Sequence, residues 1–214
     1  EQSYSIYQFY HAKLKECDAK IEEHLREKSG VDTFVEPQKK EKSNKNNLNF
    51  NGKEMLYELT GTDLADIFGI TETNAIEIIS EVGLDMSKWP TVKHFTSWLN
   101  LAPNNKISGG KVLSSRIPKK KNHAGQIFRM AAFAIQRSKN WLAMFYNRIK
   151  AKNGAPKAIV ATARKIAAIF YKMIKERVKF NPIPIEKYMD GFKENQIKKL
   201  KRQAKNLGLQ IVEM

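Results

Sequence analysis

The chain carries one cysteine, Cys17, in 214 residues. An internal disulfide is therefore excluded, and a reducing compartment is expected. Its four histidines (His11, His24, His94 and His123) have no metal-ligand spacing among themselves or to Cys17, which argues against a zinc site. No run of about 18 apolar residues occurs, so no segment reads as a membrane span. The first residues, Glu1-Gln2-Ser3-Tyr4, have neither an initiator Met nor the basic-then-apolar pattern of a signal peptide, and they read as a cut within a longer protein. Acidic residues are also scarce: 22 Asp+Glu stand against 38 Lys+Arg, a formal net charge of +16. Such an imbalance points to a polyanionic partner, nucleic acid first and an anionic membrane surface second. At 42% hydrophobic, the chain can still build a core.

What is present is mostly helical periodicity. Residues 3 to about 28 place Tyr7, Tyr10, Leu14, Cys17, Ile21 and His24 at alternating spacings of three and four, a heptad-like stripe. That stripe suits packing against a second copy, against a further domain, or as a lid on the next domain in the chain. Residues 29–52 lose apolar periodicity; QKKEKSNKNN (38–47) reads as a linker or exposed loop, and Asn51-Gly52 as a turn. Short helices are predicted from Lys53 to Gly83, with Thr71 as N-cap and Gly83 as C-cap of the last. Gly69-Ile70-Thr71 between two of them looks like the loop of a helix-hairpin-helix element, with Thr71 in place of its second glycine. Such a loop offers backbone N–H groups to a phosphate, and a purely structural helix pair reads equally well.

Further helices are predicted after Trp89-Pro90-Thr91, over His123 to Arg137, Asn140 to Lys152 and Lys157 to Arg177, the last with the strongest apolar stripe. A basic amphipathic helix is expected within Asn195 to Leu207, then a short strand or docked terminus at Leu209-Gln210-Ile211-Val212. Strand signals are otherwise scarce. The expected fold is mainly α: a coiled-coil-like helix over 1–28, a linker over 29–52, and a compact multi-helix domain over 53–214 containing a helix-hairpin-helix-like element.

Between two of the helices lies a long polar stretch, residues 104–122, with no periodicity, five lysines and one arginine. Loops of this length are usually functional or disordered. Its Ser108 precedes Gly109-Gly110, and glycines let backbone N–H groups approach a phosphate closely. Lys106, Lys111, Arg116, Lys119, Lys120 and Lys121 can neutralise phosphate oxygens. On residue types alone, an ordinary flexible loop explains Ser-Gly-Gly far better than a nucleophile does, since Ser-Gly pairs are common in loops. Ser114 and Ser115 are weaker candidates. Glu77 and Glu81 share a helix face and read as an exposed pair rather than a catalytic dyad. Arg129 and Arg164, in core-rich helices, can reach phosphate or pair with an acid.

Taken in order, LTGTDLADIFGITETNAIEIISEVG (59–83), MSKWPTVKHFTSWLNLAPNNKISGGKVLS (86–114), NHAGQIFRMAAFAIQRS (122–138), GAPKAIVATARKIAAIFYKMI (154–174) and KNLGLQIV (205–212) resemble insertion-sequence transposases of the IS-one-ten kind. The resemblance covers roughly residues 50–214, and the N-terminal helix looks like that family's coiled-coil connector. It implies a DNA transposase, a site-specific recombinase directed by a structured guide (bridge) RNA. It also implies a RuvC-like domain, absent here, whose four acidic residues hold Mg2+. The family's serine nucleophile falls on Ser108-Gly109. The resemblance further implies DNA and guide RNA as partners, a homo-oligomer (dimer or higher), and cytoplasmic, nucleoid-associated activity. This fragment alone is expected to bind nucleic acid without reacting, since it has no residues for the metal that would polarise the phosphate. The alternative is a non-catalytic helical module making phosphate contacts only.

The charge balance makes a first prediction. Binding to duplex DNA should weaken steeply with salt through counterion release, log K falling linearly with log [salt] at about −0.9 per phosphate neutralised. An affinity that stays flat between low and physiological salt in a filter-binding or anisotropy titration would remove the phosphate-dominated reading.

Overall fold

The computed structural model describes residues 2–29, 48, 50–117 and 122–209. Among these residues it contains eight α-helices and one two-stranded sheet. Most of the expected linker, residues 30–47 and 49, lies outside the described residues, as do Lys119 to Lys121 and the expected terminal strand beyond Leu209.

The first helix, α1 (Gln2–Ser29), buries none of its residues. Tyr4, Tyr7, Tyr10 and Leu14 stay exposed along it. It packs on α2 (Gly52–Thr60). Asn51 is not a turn residue; its side chain caps α2 by accepting the Glu54 amide, so Asn51-Gly52 starts a helix. Leu64–Asp66 forms one 3-10 turn, and α3 (Glu72–Val82) follows. Thr71 and Asn74 close a capping box at its start, and Gly83 ends it with φ 79°. The helix-hairpin-helix-like element therefore has a single turn as its first arm. Gly69 (φ 85°) is needed there for packing, because a Cβ would lie 2.7 Å from the Ala131 carbonyl oxygen.

After a 3-10 turn at Met86–Lys88 comes the short helix α4 (Val92–Trp98). Thr91 occupies its N-cap position, but the hydroxyl meets His94 Nδ1 at 2.8 Å instead of a backbone amide. Strands β1 (Lys106–Ser108) and β2 (Lys111–Ser114) follow, then α5 (His123–Ala134), which tightens into a 3-10 turn at Ile135–Arg137. Asn140 caps α6 (Trp141–Asn153) by accepting the Ala143 amide at 2.8 Å. Gly154 separates α6 from α7 (Ala155–Glu176), and Pro156 lies in the first turn of α7, where a missing N–H costs nothing. The last helix, α8 (Ile185–Asn206), starts about ten residues earlier than periodicity suggests and buries no residue fully.

Helix α7 is the axis of the domain. Its buried face (Ala158, Ala163, Ile166, Ala167, Phe170, Tyr171, Met173 and Ile174) meets α4, α5 and α6. The alanines let neighbouring backbones come close, and the aromatics fill the space between. Phe170 meets Phe128 edge-on at 5.4 Å and stacks with Phe95, which also meets Trp89 at 5.1 Å. Such pairs add about 0.5–1.5 kcal/mol each beyond area burial. The Tyr171 hydroxyl donates to the Trp89 carbonyl at 2.7 Å, and the Thr62 hydroxyl donates to the Val178 carbonyl at 2.9 Å, tying early and late segments together.

The tightest junction joins α4 to α5. A Cβ on Gly125 would lie 2.2 Å from the Leu99 carbonyl oxygen, a backbone atom that cannot move aside. Gly125→Ala should therefore force the two helices apart and cost about 1–3 kcal/mol, the usual overpacking penalty. Urea denaturation checks this; an unchanged midpoint would show that the junction yields.

Candidate nucleic-acid interface

The stretch expected to be an irregular loop is a β-hairpin. β1 and β2 pair antiparallel, with Ile107 opposite Val112 and Ser108 opposite Lys111. Gly109 and Gly110 are the two turn residues, with φ of 55° and 73°. Positive φ at both central positions is the requirement of a type I′ hairpin turn, which matches the strand twist. Nothing lies within 4 Å of where a Cβ on either glycine would stand, so both are there for backbone conformation and not for packing. Leu113 has no partner in the register and forms a bulge opposite the Lys106–Ile107 step. Beyond the strands, the Asn104 amide donates to the Arg116 carbonyl at 3.1 Å and extends the pairing toward the base.

Alternation sorts the side chains. Lys106 and Ser108 share one face of β1, and Lys111 stands across from Ser108 on that same face. Ile107 and Val112 pair on the other. All five are exposed, and so are Gly109, Gly110 and Arg116. Ser108 makes no side-chain hydrogen bond among the described residues. The hairpin thus carries the Ser108 hydroxyl on the same face as Lys106 and Lys111, next to a turn that is exposed. Ser114 accepts the Arg116 amide at 3.4 Å, a local bond that helps shape the base.

The base is anchored by backbone-directed bonds. Asn122 donates to the Trp98 carbonyl at 3.3 Å and caps α5 by accepting the Gly125 amide at 2.6 Å. Arg129 on α5 donates to the carbonyl of Asn100 at 2.8 Å, where the chain leaves α4 with φ 55°. Burial holds the Arg129 guanidinium below its ordinary pKa. Arg129, grouped by sequence with the phosphate-binding cations, thus has an observed partner at the foot of the hairpin. Arg164 is half-buried on α7. Glu81 is also engaged: its carboxylate accepts the Ala124 amide and lies 3.5 Å from His123 Nδ1, a favourable place for an acid at a helix N-terminus. At the Gly69-Ile70-Thr71 loop, the capping box occupies the Thr71 and Asn74 amides, and Glu72 sits in the first turn. An acid there competes with a phosphate for the helix N-terminus.

Among the described residues no group of three His, Cys, Asp or Glu side chains could hold a metal ion, and no helix is long and apolar enough to cross a membrane. What sequence inspection missed was the hairpin itself. Its signal was present: a Gly-Gly pair flanked by Lys-Ile-Ser and Lys-Val-Leu-Ser is a short alternating pattern around a two-residue turn.

Residues 61–147, from the end of α2 through the hairpin to the middle of α6, match the model of the Transposase IS116/IS110/IS902 family. Over those residues the chain is similar to the transposase domain of this family. The match covers less than half of the chain and includes Ser108 and both feet of the hairpin. No curated protein matches the chain. The exposed basic hairpin lies within the matched segment.

The Arg129 contact separates anchoring from phosphate binding. Arg129→Met should lower stability by about 1.5 kcal/mol, the scale of a hydrogen bond to a charged group, and leave the salt dependence of DNA binding unchanged. Chemical denaturation with a parallel salt titration checks both; a slope reduced by about one would return Arg129 to the phosphate contacts.

Proposed function

We propose that the transposase domain uses Ser108 as the nucleophile of DNA strand exchange, with the hairpin cations binding the attacked strand. The observation that carries this reading is the placement of Ser108. It is exposed at the turn of an anchored hairpin, with Lys106 and Lys111 on its own face, inside the segment that matches the family. In the reaction, Ser108 Oγ forms a phosphoester bond to DNA while the phosphate's bond to one deoxyribose oxygen breaks. The serine proton leaves with a base, and the departing oxygen takes up a proton as a free hydroxyl. The Lys106 and Lys111 ammonium groups would stabilise charge building on the non-bridging oxygens, and Gly109 and Gly110 would keep the backbone clear for the strand. Arg116 and Lys119, Lys120 and Lys121 would extend the contact along the backbone.

The side chains of the hairpin do not suit a divalent ion, since they are hydroxyls and cations. Mg2+ is proposed for the whole enzyme only through acidic residues of a RuvC-like domain, and no step here is routed through it. A structured guide RNA is proposed as the second nucleic-acid partner, and α1, with its exposed aromatic stripe, as the element that joins copies into a dimer or higher oligomer. On this reading the fragment binds nucleic acid but does not recombine it.

Ser108→Ala in the whole protein tests the nucleophile. Strand exchange and the covalent protein–DNA adduct should both vanish, while DNA affinity changes less than about twofold, because a neutral hydroxyl adds little to phosphate binding beside several cations. Retained recombination would leave a non-catalytic helical binding module as the surviving reading.

A further inference from the structure

Away from the hairpin, two cations on neighbouring helices share an aromatic enclosure. Arg148 on α6 lies over Phe145 of its own helix at 5.4 Å, and over Tyr188 and Phe192 of α8 at 5.5 and 4.7 Å. Lys165 on α7 lies over Phe145 at 4.8 Å and over Trp141 at 5.6 Å. One ring, Phe145, therefore lies beneath both charges. All distances are to ring centroids.

Neither cation forms an ion pair among the described residues. The acids of α8 (Glu186, Asp190 and Glu194) offer them none. Burial, and then the positive charge of Arg148, holds the Lys165 ammonium below its ordinary pKa. Ring faces attract cations, by about 0.5–2 kcal/mol per contact, but they do not neutralise them. One further polar group is left over. Trp141 is 6% exposed, and its indole N–H is buried without an acceptor. The Tyr188 hydroxyl is buried beside Arg148, and burial raises its pKa against the opposing charge and hydrogen bond of Arg148. The two rings lie 5.8 Å apart.

Two like charges and an orphan N–H donor on α6 and α7 lack one thing: a group with several negative oxygens. A carboxylate has two oxygens for the two cations and none left for the N–H, whereas a phosphate has enough oxygens to serve both cations and the donor together. We infer that the Arg148–Lys165 cluster is a phosphate-binding site that holds a backbone phosphate of a nucleic-acid strand. The source of the phosphate rests on the DNA-acting character of the transposase domain; the site itself does not. The aromatic walls suit this role, since they shield the phosphate from water and strengthen its pairing with the cations. The cluster shares no residue with the hairpin, so it would give the domain a second point of contact with its nucleic acid.

The test titrates the 15N-labelled 214-residue chain with inorganic phosphate against chloride at constant ionic strength, following the tryptophan indole N–H resonances. The Trp141 resonance, assigned by Trp141→Phe, should move and saturate, and the movement should disappear in Lys165→Met, which keeps the length and apolar stem of the side chain. A stationary Trp141 resonance, or one that moves equally in Lys165→Met, overturns the site. A second arm titrates duplex DNA with salt. Lys165→Met should weaken binding about tenfold at low salt whatever the sequence and lower the log–log slope by about 0.9, the loss of one phosphate contact. A phosphate response with an unchanged DNA slope overturns the nucleic-acid source and leaves a site for free phosphate. Arg148→Gln repeats both arms if Lys165→Met does not fold by circular dichroism. Neither arm reads strand exchange, so its outcome is separable from the fate of Ser108.

Discussion

Between the Leu99 carbonyl and the α-carbon of Gly125 there is no room for a side chain. This approach brings the end of α4 and the start of α5 together, and the hairpin is the chain that runs between them. Around it, Asn122 reaches the Trp98 carbonyl and Arg129 reaches the Asn100 carbonyl, so each foot is held by a bond to backbone. Such bonds fix direction better than packing does, because their donors and acceptors must align. The aromatic group of Phe95, Phe128 and Phe170 lies behind the same two helices and resists any sliding of one along the other. The exposed end of the hairpin is free only because its base is not.

Charge is distributed with the same division. Cations on the hairpin are exposed, where water screens their mutual repulsion. Arg148 and Lys165 are treated differently. They are drawn into aromatic surroundings where screening is weaker, which raises the cost of leaving them without an anion.

Much of this was legible in the chain. The helix boundaries around Thr71, Gly83, Asn140 and Gly154 follow from caps, which act within four residues and so leave a local trace. The long apolar stripe of α7 was equally plain. The hairpin was not, because Gly109-Gly110 carries the same letters whether it serves flexibility or a positive-φ turn, and only the pairing of Ile107 with Val112 decides between them. Asn51 reads as a turn for a related reason: Asn-Gly suits a turn, and a side chain that accepts the Glu54 amide suits it to a cap. Gly125 and Arg129 depend on contacts with residues more than twenty positions away. The Arg148–Lys165 cluster is assembled from three helices, so no single stretch of sequence contains it.

The anchored base has a consequence for how such a domain can vary. Closing a loop costs entropy that grows only as the logarithm of its length, about 0.6 kcal/mol for each doubling. Here the ends are already joined by the α4–α5 junction, so the helical body does not depend on what is strung between Asn104 and Arg116. Strands could be lengthened, shortened or recoloured in charge at little expense to the core. The junction thereby separates two kinds of selection: residues beneath it answer to folding, and residues above it are free to answer to whatever the hairpin meets.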